Sequence, residues 1–176
     1  MVVGQEWGDV ASFVRQRGLD NPSATNKTLR SLLAGVGIGI DEAPHTSASS
    51  PVFLTNAVLC LKECGAQAPV VNAWFTNCQA FLRRQIELVQ PRVVVTLGQR
   101  ACVSVREEFA LRPLMSFRRA ARGHEVFELF NGVSLVPVYH CGNRVLHTHR
   151  CLEQQHEDWV RIKGLLATAA TTLEQT

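Results

Sequence analysis

The sequence predicts an α/β fold of three layers, in which helices cover both faces of a central, mostly parallel four-stranded sheet. Two observations support this fold class. Short apolar strands alternate with helical segments along the chain, and the run at 92–98 has the β-branched content of a strand buried on both faces. A length of 176 residues suits one domain, so we expect residues 1–176 to fold as a single unit.

The first element is a strand at residues 1–3 that enters a turn at Gly4. Strands usually have about five or six residues, so three are few. We therefore expect that residues preceding Met1 are missing from this chain.

The remaining elements follow from apolar periodicity and from the glycines and prolines that end them. The predicted helices are 25–37, with Thr25 or Asn26 as its N-cap and Gly37 as its stop, 72–89, 99–111 and a long last helix from near His149. The predicted strands are 52–56, 92–98 and two hairpin arms, 124–130 and 133–140, joined by a type I′ turn at Asn131-Gly132. A site is expected where the carboxyl ends of the parallel strands meet.

The composition is typical of soluble globular proteins, with 46% hydrophobic and 19% charged residues. No apolar run approaches the roughly 20 residues that span a bilayer. Gln5, Glu6 and Asp9 interrupt any secretory signal, so we expect a cytoplasmic protein without a membrane partner.

Positive charge is concentrated in the middle of the chain. Residues 81–150 hold eleven arginines against five acidic residues, whereas the two flanking segments are net acidic. Arginine outnumbers lysine fifteen to three, and arginine favours bidentate contacts with oxyanions. Two interpretations stay open: a face that binds nucleic-acid phosphates, with Arg118, Arg119 and Arg122 as contacts, or a solvated surface.

Six cysteines would suit a disulfide framework in a small secreted domain, but this chain is neither short nor visibly secreted. Reduced thiols are therefore expected. The cysteines are Cys60, Cys64, Cys78, Cys102, Cys141 and Cys151. Cys102 lies in an apolar helical segment and is expected to fill the core.

Polar side chains stand at three predicted strand ends: Glu6 after the first strand, Asn56 at the end of the second and His140 after the last. Each alone has a plain structural interpretation, as a solvated, capping or packing residue. Because the carboxyl ends of parallel strands meet at one edge, a carboxylate, an amide and an imidazole would converge on one crevice. This conjunction predicts a functional site.

Four segments at and between these positions together resemble the uracil-DNA glycosylases. VVGQEWGD at 2–9 looks like the family's first motif, and FLTNAVLC at 53–60 looks like the strand whose Asn reads the base. VPVYHCGNRV at 136–145 stands where the family has its second motif, a His that opens a loop entering DNA. The segment at 77–101 resembles the helix, strand and glycine between these motifs and is closest to the iron-sulfur-containing branch.

The resemblance implies an enzyme that hydrolyses the N-glycosidic bond of uracil, or of a related deaminated base, in DNA and so initiates base-excision repair. Glu6, with Gln5 beside it, is then expected to orient water and stabilise the sugar cation. His140 is expected to donate to the departing base, with its other ring nitrogen held by a backbone acceptor. Asn56 is expected to read the base, and the backbone N–H groups of Gly4 and Gln5 to bind the base or a phosphate.

The segment that follows His140 is expected to contact DNA, single- or double-stranded. It comprises Gly142, Asn143, Arg144, Val145 and Leu146. Arg144 suits a phosphate, and Val145 or Leu146 suits an apolar wedge between bases, although Leu146 as a buried residue at a helix start is an open alternative. We expect a monomer, associated with the nucleoid if its source is bacterial.

The chain departs from the family pattern at three places. Cys141 follows the second-motif His where proline is common, and Trp7 replaces the usual proline of the first motif. The phenylalanine that stacks on uracil has no clear counterpart near Pro22. Trp7 or Phe13 is the alternative stacking residue, and either is equally suited to packing.

The iron-sulfur-containing branch has four cysteine ligands, two before the first motif and two flanking the long helix. Cys60 and Cys78 match the second pair. Two thiolates do not complete a four-ligand cluster, so no cofactor is expected from this chain itself, and a cluster is expected only if cysteines precede Met1. Cys64 is an alternative further ligand.

Other functions compete with this interpretation. One is a glycosylase for another lesion, such as hypoxanthine or an alkylated base, and another is a non-catalytic nucleic-acid-binding homologue of the same fold. A third is an enzyme that uses Cys141 as a nucleophile beside His140. That dyad is geometrically poor, because adjacent residues on a strand point to opposite faces.

Overall fold

The computed structural model describes residues 1–7, 10–15, 23–40, 50–62 and 69–173. In this part of the chain the strands are β1 (Val2–Glu6), β2 (Leu54–Val58), β3 (Val93–Leu97), β4 (Phe127–Phe130) and β5 (Val133–Val138). The helices are α1 (Val10–Arg15), α2 (Ala24–Gly35), α3 (Asn72–Val89), α4 (Gln99–Glu108), α5 (Phe117–Arg122), α6 (Asn143–Thr148) and α7 (Leu152–Leu173). None of the described helices is long and apolar enough to cross a membrane.

The strands form one sheet in the order β2-β1-β3-β5-β4. The first four are parallel to their neighbours, and β4 pairs antiparallel with β5 at the edge. The sheet therefore has five strands where four are predicted, because the hairpin arm β4 joins it. Asn131 and Gly132 have φ of 45° and 77°, as a primed hairpin turn requires, so the predicted turn is confirmed.

Helices pack on both faces of the sheet, which confirms the predicted three-layer α/β fold. Successive residues of β3 point to opposite faces, and the whole strand is buried. Val93 and Val95 join the core that holds α2 and α7, with Leu32 and Trp159 at its centre. Val94 joins the core under α3 and α4. The sheet edge that carries the carboxyl ends of β1, β3 and β5 is thus fixed from both sides.

Two strands near that edge have bounds that differ from the predictions. Strand β1 continues through Gly4 to Glu6 and does not end at residue 3. Strand β2 occupies Leu54–Val58, two residues later than predicted, so Asn56 lies in the middle of the strand and not at its end. The apolar pair at 52 and 53 precedes the pairing region, because β2 enters register with β1 only at Leu54.

Helix α2 is capped by Ser23 and not by Thr25 or Asn26. Ser23 has extended backbone angles, and its hydroxyl accepts a hydrogen bond from the Asn26 N–H at 3.2 Å. Thr25 and Asn26 consequently lie in the first turn of the helix.

The last predicted helix, from near His149, is observed as α7, which begins at Leu152, and a short helix that was not predicted, α6, precedes it. The segment predicted to be a DNA-entering loop therefore begins with Gly142 as an N-cap and continues as the short helix α6.

Candidate active site

Gly4 and Asn56 are directly paired across β1 and β2. A Cβ atom at position 4 would overlap the side-chain oxygen Oδ1 of Asn56. Only glycine leaves room for this amide above the strand. The observed position of the Asn56 side chain therefore requires glycine at this place in the first motif.

Glu6 is the last residue of β1, and its carboxylate has two different environments. Oε1 accepts a hydrogen bond from Nζ of Lys62 at 3.0 Å. Oε2 is buried and has no hydrogen-bond partner among the described residues. One oxygen therefore has a fixed partner, and the other has unused hydrogen-bond acceptor capacity among the described residues.

His140 follows β5, and its ring is fixed by the backbone of the next turn. Its Nδ1 accepts a hydrogen bond from the Gly142 N–H at 3.0 Å. The expectation of a backbone acceptor is thus wrong: a backbone donor holds this nitrogen, so in the neutral ring the proton lies on Nε2. Burial lowers the pKa of His140 below its ordinary value, which favours that neutral Nε2–H form.

These residues share one crevice. Gly4, Gln5, Glu6, Asn56 and His140 all line a cavity of about 930 Å³. A second cavity of about 810 Å³ shares Gln5, Glu6 and His140 in its wall. The structure therefore brings together all the residues predicted to act on the base or the sugar, and their chemical roles stay predictions.

A sequence model of the Uracil DNA glycosylase superfamily matches residues 4–161. This chain belongs to that superfamily. A type-4 uracil-DNA glycosylase of Archaeoglobus fulgidus is 25% identical over 150 residues, which cover 85% of this chain and 69% of that protein. These findings confirm the suspected family, and they agree with an α/β fold whose strand ends carry the site.

The DNA-contacting residues predicted by the superfamily resemblance lie beside the crevice. Asn143 and Arg144 are exposed on α6, whereas Val145 and Leu146 are half-buried. Val145 lines the smaller cavity. Gly142 is tightly placed, since a Cβ atom there would come within 2.9 Å of His140 Nδ1. The glycine thus lets the backbone hold the imidazole, and the wedge role of Leu146 stays a prediction.

The aromatic pair considered for stacking is assembled at the end of β1. The rings of Trp7 and Phe13 meet edge to face, with centroids 5.2 Å apart. Trp7 lines the larger cavity. Trp7 is therefore better placed than Phe13 to meet a base, while Pro22, where the family places its stacker, lies outside the described residues.

Cys60 and Cys78, the pair predicted as cluster ligands, lie together with their Sγ atoms 3.7 Å apart. Cys64 lies outside the described residues. In the described ranges no group of three or more His, Cys, Asp or Glu side chains is arranged to hold a metal ion. An iron-sulfur cluster needs four ligands, so the described residues do not fit one, and no step of the chemistry is assigned to it.

Cys141 is not suited to nucleophilic chemistry. It is fully buried, and burial raises the pKa of its thiol to about 11. Its Sγ lies 3.5 Å from the Thr25 carbonyl oxygen at the start of α2. Because a thiolate is the reactive form, this thiol packs the second motif against α2 and does not attack a substrate. Cys102 is likewise fully buried, in agreement with its predicted core position.

Two residues that form hydrogen bonds with residues of the site were not identified from the sequence. Lys62 is buried against Glu6 although it lies four residues beyond β2, and the only signal is its being one of three lysines in an arginine-rich chain. Gln155 is buried in α7, where its Nε2 donates to the carbonyl oxygens of His140 at 3.3 Å and Arg150 at 3.2 Å. A glutamine in an amphipathic helix, here directly after Gln154, gives no sequence signal for such a contact.

Proposed function

We propose that this protein hydrolyses the N-glycosidic bond of uracil, or of a related deaminated base, in DNA and thereby initiates base-excision repair. Its family is that of DNA glycosylases, and the observation that carries the finer proposal is the meeting of Glu6, Asn56 and His140 around one cavity. We propose that it acts as a cytoplasmic monomer on DNA.

The reaction passes through a sugar with oxocarbenium character and a departing base anion, so catalysis needs negative charge or a held water near the sugar. Glu6 supplies this at the end of β1. Its Oε2 has no partner among the described residues and is suited to accept a hydrogen bond from the attacking water. The neighbouring Gln5 lines the same crevice.

The leaving base needs a donor for the oxygen that gains charge. His140 offers Nε2–H, because its Nδ1 accepts from Gly142 and its lowered pKa keeps the ring neutral. A neutral donor of fixed tautomer stabilises the base anion without a proton transfer that would have to be reversed. Glu6 and His140 thus act at opposite ends of the scissile bond.

The Asn56 amide selects the base through hydrogen bonds. Its oxygen accepts from uracil N3–H and its NH₂ donates to O4, whereas cytosine presents the opposite pattern at these two positions. Gly4 leaves the room in which this amide lies. The target base reaches the crevice only when it is extruded from the helix or comes from a single strand.

The test is release of base from oligonucleotides that carry uracil, hypoxanthine or an alkylated base, each as a single strand and as a duplex. The proposal predicts release of uracil or a deaminated relative. Asn56→Asp should reduce uracil excision by about tenfold or more, because it removes the donor to O4. Salt-dependent DNA binding without release of any base would instead identify a non-catalytic homologue.

A further inference from the structure

We infer that Lys62 is a positioning residue, which acts through Glu6 by holding its carboxylate in the orientation that the reaction needs. The inference rests on the proposed function, since it takes Glu6 as the group that acts on water and sugar. No motif of the sequence points to Lys62, and the geometry of one ion pair carries the argument.

The ion pair joins the ends of two neighbouring strands. Strands β1 and β2 are parallel and in register from Val2 to Glu6, so both chains leave the sheet at the same edge. The chain beyond β2 brings Lys62 back over the end of β1, where Nζ lies 3.0 Å from Glu6 Oε1. The side chains are 3% and 18% exposed, respectively.

Burial makes this contact different from an ordinary surface ion pair. Two exposed side chains would lose little by separating, because water solvates each charge on its own. A buried ammonium that leaves its carboxylate partner loses charge compensation that bulk water does not replace, so separation is costly. The Glu6 side chain is therefore held in one position even before a substrate enters.

The pair also assigns different roles to the two carboxylate oxygens. Oε1 is occupied by Lys62, and Oε2 is buried without a partner among the described residues. Glu6 lines both cavities, whereas Lys62 is in the wall of neither. The ammonium thus holds one oxygen of a crevice-lining carboxylate from outside the crevice, without touching a substrate itself. Preorganisation of this kind lowers the reaction barrier and leaves substrate binding largely unchanged.

The test compares Lys62→Met with Lys163→Met, which removes the same charge from an exposed position on α7. With a single-stranded uracil oligonucleotide, Lys62→Met should lower kcat by about tenfold or more with little change in KM, and Lys62→Arg should recover part of the loss. Lys163→Met should keep the full rate. In a Glu6→Gln background, Lys62→Met should cause no further loss, because a positioning residue has no effect once its target is neutral.

Crystal structures supply a readout that does not depend on activity. In Lys62→Met the Glu6 carboxylate should leave the crevice, and Lys62→Gln serves in the same way if the methionine variant does not fold. Full activity of a folded Lys62→Met, losses that multiply in the double variant, or an unmoved carboxylate would each overturn the inference. An unmutated protein that releases no base would instead refute the proposed function, and the crystal structures would still decide the role of Lys62.

Discussion

At the scale of single residues, the site depends on two glycines as much as on its polar side chains. Gly4 has no Cβ, so the Asn56 amide can lie above β1, and Gly142 has no Cβ, so its N–H can reach the His140 ring. The sequence motifs predict Asn56 and His140 as partners of the base. They do not predict the tautomer of His140, because that depends on which backbone group faces Nδ1 after folding.

Gly4→Ala tests the close approach at the first motif. The new methyl group should displace the Asn56 side chain and lower uracil excision by about tenfold or more, while the strand still forms, since alanine is compatible with an extended backbone. The control is Gly39→Ala, where a Cβ meets nothing within 4 Å. Both variants are measured by single-turnover release of base. An excision rate equal to that of the control would show that Asn56 is not constrained by Gly4.

The buried imidazole predicts a loss of stability in mild acid. The pKa of His140 is lowered in the folded state, so the unfolded chain takes up the proton first as the pH falls. The contribution is therefore fully present above the ordinary histidine pKa of about 6.5 and is lost as the pH falls below it. The free energy of unfolding should decrease more steeply from pH 7 to pH 5 for the unmutated protein than for His140→Gln. Parallel curves would contradict the burial of a neutral ring.

At the scale of elements, helix α7 holds the second motif from behind. Gln155 bonds the carbonyl groups of His140 and Arg150, one on each side of α6. Asp158, one turn further, binds Arg150 at 2.7 Å and His124 at 2.8 Å. The periodicity of the sequence predicts the long terminal helix correctly, but it misses the short helix α6 before it, where the family resemblance implies a loop.

Gln155→Met tests this support. Loss of both hydrogen bonds should leave two carbonyl groups without their side-chain donor and lower the free energy of unfolding by about 1–3 kcal/mol. It should also loosen the His140 segment and reduce the excision rate several-fold. Chemical denaturation and single-turnover rates are compared with those of Lys163→Met, which lies on the same helix and is exposed. Equal effects of the two variants would rule out a specific role for Gln155.

The bounds of β2 show a second limit of sequence reasoning at this scale. Residues 52 and 53 are as apolar as those that follow, so the pattern places the strand two residues early. Only the register with β1 determines that pairing starts at Leu54 and that Asn56 stands beside Gly4. Strand register is a long-range property and does not follow from local composition.

At the scale of the whole molecule, the fold class follows from the alternation of strands and helices, and the charge distribution follows from counting residues. Arg118 and Arg119 are exposed on α5, and Arg118 lines the smaller cavity beside His140. The arginine-rich middle of the chain therefore borders the crevice. The sequence does not predict the contacts of Lys62 and Gln155. These contacts form only in the tertiary structure, and no periodic pattern of the sequence marks them.

Replacement of Arg118, Arg119 and Arg122 by alanine should weaken DNA binding and flatten its dependence on salt. Each true phosphate contact contributes about one unit to the slope of log K against log salt concentration. The matched control removes three exposed cations elsewhere, namely Arg84, Arg161 and Lys163. Affinities are measured by fluorescence anisotropy at several salt concentrations. The same slope in both triple variants would assign the α5 arginines to a solvated surface.

The central claim is that Glu6 and His140 act on opposite ends of one scissile bond, and single-turnover release of uracil from a single-stranded oligonucleotide tests it most directly. Glu6→Gln keeps the shape of the side chain and removes its charge, and His140→Ala removes the donor to the leaving base. With folding verified by circular dichroism, each variant should bind DNA yet excise uracil about 10²-fold more slowly or worse. The double variant should lose less than the product of the two effects. Unchanged rates in both folded single variants would contradict the assignment of this site.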